Sequence, residues 1–400
     1  MWFVFLGIGI LLVVSGSVYF QRRLAGALAM VGVGRRGQRV ASWLCYYLLF
    51  GYLLYAFGNV GLAVALDRDS FTIDPGGVWT WVLVYPFWIS VLILLQSLPF
   101  ILAVDVGLAA RRGRIPQAKR TKIVGATVLA VVAGFTVYTP ARIVVERDAL
   151  NVNRYRLGSR EGAPFRIVFV GDLQRDEHTG AEETDRLVED INREKADLVL
   201  SGGDWISEGT DFIAAAAAAA GRLESRLGTY SVRGDHEYFA YRDPERSVRE
   251  LTAALEAEGV DVPDNEVRWF EHQGKRIGVG FLSNNYVVLS TDEQLQAVVG
   301  QLASADYSIL VTHQLDADLG NKLNGKVDLV LGAHTHGGQV NPWLGFGHVP
   351  LARLETPYVV GRYELGATTT AIITAGIGYS VAPFRYASPA SFEVLEIRLP

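Results

Sequence analysis

The sequence predicts a four-helix transmembrane region followed by an α/β domain, and three observations carry that expectation. Four long stretches without a charged residue occupy the first third of the 400-residue chain. The remainder alternates short apolar, β-rich runs with amphipathic segments, the pattern of a layered α/β domain. Charge divides at nearly the same place: residues 1–139 hold twelve Lys/Arg against four Asp/Glu, and residues 140–400 hold 25 against 38. The expected division is therefore a transmembrane region over residues 1–141 and a second domain over 142–400. Half of the chain is apolar, which excludes a disordered polymer. The acidic remainder lacks the clustered positive charge a nucleic-acid surface needs. A single cysteine, Cys45, excludes an intramolecular disulfide.

The four stretches are Trp2–Phe20, Ala41–Leu66, Val78–Val104 and Ile123–Ala141. Each reaches the roughly 20 residues that cross a bilayer core. Ala27-Leu28-Ala29 resembles a signal-peptide cleavage site, but the first stretch has no preceding positive charge and is followed by Arg22 and Arg23. It reads as an anchor. The loop Gln21–Val40 carries five arginines and no acid, and Arg111–Lys122 carries six Lys/Arg and no acid. Asp67–Gly77 carries three aspartates and one arginine. Positive loops face the cytoplasm, so the expectation is a multi-pass cell-membrane protein whose larger domain is extracytoplasmic. Asp105, near the inner end of the third span, reads as an interfacial carboxylate beside Arg111 and Arg112.

Beyond the spans, Ala141–Leu157 mixes charged and β-branched residues and reads as a leading strand or hairpin. Phe165–Val170 is a short apolar run of the buried-strand type. Ala181–Lys195 places Leu187, Val188 and Ile191 at helical spacing. Asp197–Leu200 reads as a strand, and Phe212–Leu227, with seven consecutive alanines, as a helix by propensity. Tyr230–Val232 is a strand, Arg246–Glu258 a helix, and Val267–Phe270 and Arg276–Phe281 are strands. Thr291–Leu302 reads as a helix; Tyr307–Thr312, Val327–Leu331, Thr368–Thr374 and Phe392–Ile397 read as strands.

Polar residues gather where these apolar strands stop. Phe165–Val170 runs into Gly171-Asp172-Leu173-Gln174, and Asp197–Leu200 into Gly202-Gly203-Asp204. Tyr230–Val232 leads to Gly234-Asp235-His236-Glu237, Tyr307–Thr312 to His313, and Val327–Leu331 to His334-Thr335-His336-Gly337-Gly338-Gln339. Ligands of α/β sheets bind at strand ends because the loops there gather residues remote in sequence. Three carboxylates and four imidazoles are the mixture that hard and borderline divalent ions select. Seven groups exceed the needs of one four-coordinate ion and point to a pair sharing a bridging carboxylate. Such a pair can acidify a water and clamp a phosphoryl group.

In this order the motifs resemble those of the calcineurin-like metallophosphoesterases, over most of Arg142–Leu399. Gly376-Ile377-Gly378 and Arg385 follow the pattern of the family's membrane-associated bacterial branch. The resemblance implies a four-layer α/β/β/α sandwich with a dinuclear centre between the sheet edges. It implies that Asp172 and His336 hold a first ion, that Asp235, His313 and His334 hold a second, and that Asp204 bridges them. His236 is implied as the catalytic group that protonates the leaving oxygen or stabilises the pentacoordinate phosphorus. A water or hydroxide bridging the ions would attack phosphorus in a phosphomonoester or phosphodiester.

Two positions depart from the family pattern. Gln174 stands where the first motif ends in histidine, and Asp235 where the third has asparagine. A glutamine carbonyl is a weaker, harder ligand than imidazole, while the extra carboxylate adds charge at the second ion. These changes are expected to offset, leaving two divalent ions, with Mn²⁺ or Mg²⁺ as suitable as Zn²⁺ or Fe. Gln174 and His178 are the further candidate ligands; His272 and His348 read as structural. The expected partners are the bilayer and a phosphoester, in one form lipid-linked or part of the cell envelope, with no nucleic acid. The alternative function is a catalytically silent metal-binding sensor or scaffold at the membrane.

Overall fold

The computed structural model describes residues 2–69, 75–111, 113–159, 161–380 and 382–399, with side chains from Val13 onward. The chain divides into two compact units. One comprises Met1–Leu66, Ile73–Glu146 and Asn341–Val349; the other comprises Asp67–Thr72, Arg147–Val340 and Pro350–Pro400.

The first unit is built on the helices Trp2–Met30, Arg35–Ala65, Gly77–Ala110 and Gln117–Glu146. Among the described residues, three are long and apolar enough to cross a membrane: Arg35–Ala65, Gly77–Ala110 and Gln117–Glu146. The expected first span, Trp2–Phe20, begins on residues whose side chains lie outside the described ones. Phe20, Leu49, Tyr52, Phe87, Val91, Leu94, Ile101 and Val128 form the unit's apolar interior. Around it Trp43, Leu54, Phe57 and Val144 are exposed, an apolar surface that water would penalise. Asp105 accepts hydrogen bonds from Tyr19 and Arg23. Of the two arginines that the sequence places beside Asp105, Arg112 lies outside the described residues; a partner on another helix is invisible to a reading of neighbours along the chain. Ala141–Glu146 is likewise helical rather than part of a leading strand. The Arg142–Glu146 ion pair, four residues apart, supports that last turn.

Among the described residues the second unit contains two six-stranded sheets. In the first, β1 (Leu150–Gly158), β12 (Ala390–Arg398), β2 (Phe165–Val170), β3 (Leu198–Ser201), β4 (Thr229–Ser231) and β5 (Val260–Asp261) lie side by side in that order. β2 to β5 are mutually parallel, and β12 is antiparallel to β2. The second sheet runs β10 (Gly361–Glu364), β11 (Thr370–Ile373), β9 (Leu329–Gly332), β8 (Tyr307–Thr312), β7 (Lys275–Leu282), β6 (Glu266–His272). Here β11, β9, β8 and β7 are parallel, while β10 and β6 run antiparallel at the edges.

Strand alternation explains the core. Phe165, Ile167 and Phe169 of β2 join Leu198 and Leu200 of β3 in one cluster with Ile277, Val279, Ile309, Val311, Leu329 and Leu331 of the second sheet. The intervening Val168, Val170 and Val199 turn the other way, onto Leu187, Ile191, Ala216, Ala220, Leu251 and Leu255. Those residues belong to the helices Ala181–Arg193, Ile213–Gly221 and Pro244–Ala257. Leu310 and Val330 turn onto Leu295, Val298, Leu302 and Leu319, from the helices Asp292–Leu302 and Ala317–Leu323. A strand buried on both faces reads as the continuous apolar run seen in the sequence. The alanine run is packed, with Ala216, Ala217, Ala219 and Ala220 buried, though its helix stops at Gly221 rather than Leu227. At Gly280 a Cβ would meet Val298 Cγ1 at 2.6 Å and Leu302 Cδ1 at 2.9 Å; the absent side chain lets that helix lie close on the sheet.

Candidate metal centre

Parallel strands of both sheets end at the same cluster. β2 delivers Asp172 and Gln174, β3 delivers Asp204, β4 delivers Asp235 and His236, β8 delivers His313, and β9 delivers His334 and His336. The turns that do so are unusual. Asp172, Gln174, Asp204, His334 and His336 all have φ between 43° and 75°, a left-handed region that costs non-glycine residues about 1–3 kcal/mol each. Concentrated strain of this kind marks a site whose geometry the rest of the fold enforces.

Two sets of ligating atoms lie within 4.8 Å of one another: Asp204, Asp235, His313 and His334 in one, and Asp172, Asp204 and His336 in the other. Asp204 belongs to both. A Cβ at Gly234 would stand 2.0 Å from Asp204 Oδ1, so glycine there keeps the shared carboxylate in place.

The protons are assignable from the partners. His313 Nδ1 donates to the Gly202 carbonyl at 2.7 Å. His334 Nε2 donates to Glu355 Oε1 at 3.1 Å. The remaining nitrogens, His313 Nε2 and His334 Nδ1, face each other at 3.0 Å, and both lie 3.0–3.1 Å from Asp235 Oδ1. In the neutral rings these are two lone pairs beside a carboxylate oxygen, an arrangement that ring protons or a bound divalent ion resolves. In the other set, His336 Nε2 and Gln174 Oε1 are buried without a hydrogen-bond partner among the described residues. Gln174 Nε2 donates to Asp204 Oδ2 at 3.3 Å, so this amide stands at the position that the resemblance gives to a ligand. The donor set fits divalent ions, and its orphaned atoms point where they would sit. His178 joins neither set among the described residues; its backbone N–H donates to Asp176.

Electrostatics divide the cluster. Burial, reinforced by the charge of Asp204, pushes the Asp172 carboxyl up to about 6. Burial also raises Asp235, but hydrogen bonds from His313 and His334 outweigh it and hold that carboxyl well below the usual range. Burial opposes charge on His313 and His334, yet Asp204 and Asp235 keep His313 well above its ordinary value, and Asp235 with Glu355 brings His334 to about 9. His336 is driven well below its ordinary value by burial and the Arg385 charge, leaving a neutral ring with a lone pair. His236 is raised by Asp204 and Asp235 against its burial. Its Nδ1 donates to the Ser207 carbonyl, so Nε2 is the nitrogen left to exchange a proton.

Three supporting residues had no assigned role from sequence. Buried Glu237 accepts from the backbone N–H groups of Asp204, Trp205 and Gly234, tying the β3 and β4 turns together. Arg385, also buried, donates to the carbonyls of His336, Ala375 and Gly378. Both stood inside the quoted motifs. Glu355 carried no motif signal; it orients His334 and accepts from Gln314 Nε2 at 2.7 Å. A carboxylate behind a ligating imidazole fixes its tautomer, and its loss typically weakens metal binding about 10–100-fold. Glu355→Gln is expected to weaken Mn²⁺ affinity within that range, measured by competition against a chelator.

Residues 165–338, within the second unit, match the calcineurin-like phosphoesterase family profile. An uncharacterized metallophosphoesterase of Helicobacter pylori is 27% identical over 238 residues, covering 58% of this chain and 60% of the relative. A Bos taurus transmembrane protein with metallophosphoesterase domain is 26% identical over 246 residues, covering 58% of this chain and 52% of the relative. The chain thus spans little more than half the length of these relatives. A hypothetical protein from Thermus thermophilus aligns in structure over 59% of this chain and all of its own, with 19% identity and a TM-score of 0.35.

Proposed function

We propose that the chain is a membrane-anchored, metal-dependent phosphoesterase that hydrolyses a phosphomonoester or phosphodiester. The observation that carries this reading is the pair of ligand sets joined at Asp204, with the opposed lone pairs of His313 and His334 in one set and the orphaned His336 Nε2 in the other. Asp172 and His336 would hold one ion, Asp235, His313 and His334 the other, and Asp204 both, within a four-layer α/β/β/α arrangement. Two bound divalent ions would supply positive charge that acidifies water and neutralises phosphoryl oxygens. His236, with Nδ1 committed to Ser207, would deliver a proton from Nε2 to the departing ester oxygen.

A four-span anchor with the second unit outside the cytoplasm completes the reading. Its support is the segment 67–69, which belongs to the second unit. There Arg242 N donates to the Asp69 carbonyl and the Arg242 guanidinium to Asp67, each at 2.8 Å. Helices Gly77–Ala110 and Gln117–Glu146 separate this segment from the second unit's main part, so two crossings return the chain to one side. The basic loops would occupy the other.

The test uses the full chain in detergent, stripped of metal and reloaded with Mn²⁺, Mg²⁺, Zn²⁺ or Fe²⁺, against chromogenic mono- and diesters. His236→Ala is expected to lower kcat about 10²–10⁴-fold at unchanged metal content. Two ions bound with no turnover of either ester would instead identify a silent sensor or scaffold. Gln174→His is expected to tighten the first ion and move selectivity towards Zn²⁺; metal content and preference identical to the parent would contradict the compensation between Gln174 and Asp235.

A further inference from the structure

The segment Asn341–Val349 leaves the chain five residues after His336 and belongs to the unit of apolar helices. It is a tight hairpin: Trp343 and His348 pair as an antiparallel bridge. Leu344 N donates to the Gly347 carbonyl and Val349 N to the Pro342 carbonyl, each at 3.0 Å. The Trp343 ring stacks on Phe100 with centroids 5.4 Å apart and meets Phe135 at 6.3 Å. Both phenylalanines lie inside stretches predicted to span the membrane. Trp343 N donates to the Oε1 of Gln96, a fully buried residue whose Nε2 donates to Thr139. His348 is paired at both ring nitrogens, with the Asn341 carbonyl and the Tyr138 hydroxyl. From Val340 to Ala352 the chain carries no Asp, Glu, Lys or Arg.

The absence of charge and the support by helices favour residence in lipid. Non-helical backbone tolerates a bilayer only when its polar groups are satisfied internally and it is supported by protein. The hairpin carries two backbone bonds of its own, and Trp343 N and His348 Nε2 reach side chains of the helices. Its tip residue, Phe346, is 84% exposed, and Leu354 on the returning stretch of chain is also exposed. In water that exposure is unfavourable; against acyl chains it is not. Along the chain the excursion falls between His336 and Glu355, the carboxylate behind His334.

We propose that the Trp343–His348 hairpin is inserted in the bilayer and that the leaflet it enters supplies the substrate, a phosphoester carried on a diacyl lipid. The second half rests on the phosphoesterase reading; the first does not. Two measurements on the full chain in phosphatidylcholine nanodiscs separate them. In the first, Cys45→Ser removes the native thiol and Phe346→Cys carries an environment-sensitive fluorophore. Quenching by acyl-chain nitroxide lipids and protection from aqueous iodide are expected. Quenching by iodide alone would overturn insertion, whether or not the protein is active.

In the second, turnover of a water-soluble chromogenic ester is compared with that of phosphatidic acid and phosphatidylglycerol in the discs. Phe346→Asp is expected to cut turnover of the accepted lipid roughly tenfold or more, as the loss of one apolar phenylalanine contact implies, and to leave the soluble ester within about twofold. Equal loss on both, no loss on either, or a parent that hydrolyses the soluble ester but neither lipid would overturn the lipid substrate. A parent inactive on all three would sink the phosphoesterase reading itself, with the quenching result still deciding insertion.

Discussion

Asp204→Asn is expected to lower turnover on the order of a thousandfold or more and to reduce bound metal from two ions per chain. Asp204 is the one residue shared by both ligand sets. Its Oδ1 accepts the His236 backbone N–H at 2.9 Å, while Oδ2 lies 3.4 Å from His313 Nε2. The amide of asparagine preserves shape, and with its oxygen at Oδ1 it preserves the His236 contact. It then places an NH₂ group, a donor, where both sets need an anionic acceptor. Removing one such electrostatic contribution commonly costs about 10²–10³ in rate, and a bridging position affects both ions. The close approach of Gly234 to Oδ1 makes the isosteric change the informative one, because a bulkier residue would disturb the turn. Metal content by elemental analysis, kcat, and unfolding of the ion-free protein together decide the matter. Parent-like turnover, or lost turnover with unfolding lowered in parallel, would remove Asp204 from the proposed role.

The ligands were legible in the sequence because the physics placing them is local. A short apolar run buried on both faces must end, and after Val170, Ser201, Ser231, Thr312 and Gly332 an aspartate or histidine follows within four residues. The pairing of the ligands into two sets could be anticipated only through the family resemblance. Glu355 was illegible: it stands in an irregular stretch with no periodicity, and only the tertiary fold brings it to His334. The Asn341–Val349 hairpin escaped for a related reason, since an uncharged stretch of nine residues is too short to read as a span. Its association with the helices depends on Trp343 meeting Phe100 and Phe135, a contact between distant parts of the chain. The edge strands β5 and β10 and the helix Ala317–Leu323 are short, and too few residues carry their pattern.

The second large effect expected is a rise in metal-induced stabilisation with pH. In the ion-free protein His334 is raised to about 9, His313 well above its ordinary value, Asp172 to about 6 and Glu237 to about 7, the last through burial and the Asp204 charge. All four hold their protons more tightly folded than unfolded. Each contribution is complete below the unfolded value, near 6.5 for histidine and near 4 for the acids, and is lost as pH rises through the folded one. Stability of the ion-free protein from these groups therefore declines from about pH 4, where the acids begin to release their protons, to about pH 9, where His334 does. His336 and Asp235, held below their ordinary values, act on the acid side, where their contribution is lost as pH falls. A divalent ion competes for the same lone pairs on His313 and His334 and must expel their protons to bind. Each expelled proton makes apparent affinity rise about tenfold per pH unit, and two make it roughly hundredfold while both rings remain protonated. Thermal unfolding with chelator and with Mn²⁺, measured from about pH 6 to about pH 8, is expected to show a widening gap between the two midpoints. A gap that is flat or narrows as pH rises would mean that the imidazoles facing Asp235 are not the groups that the ion displaces.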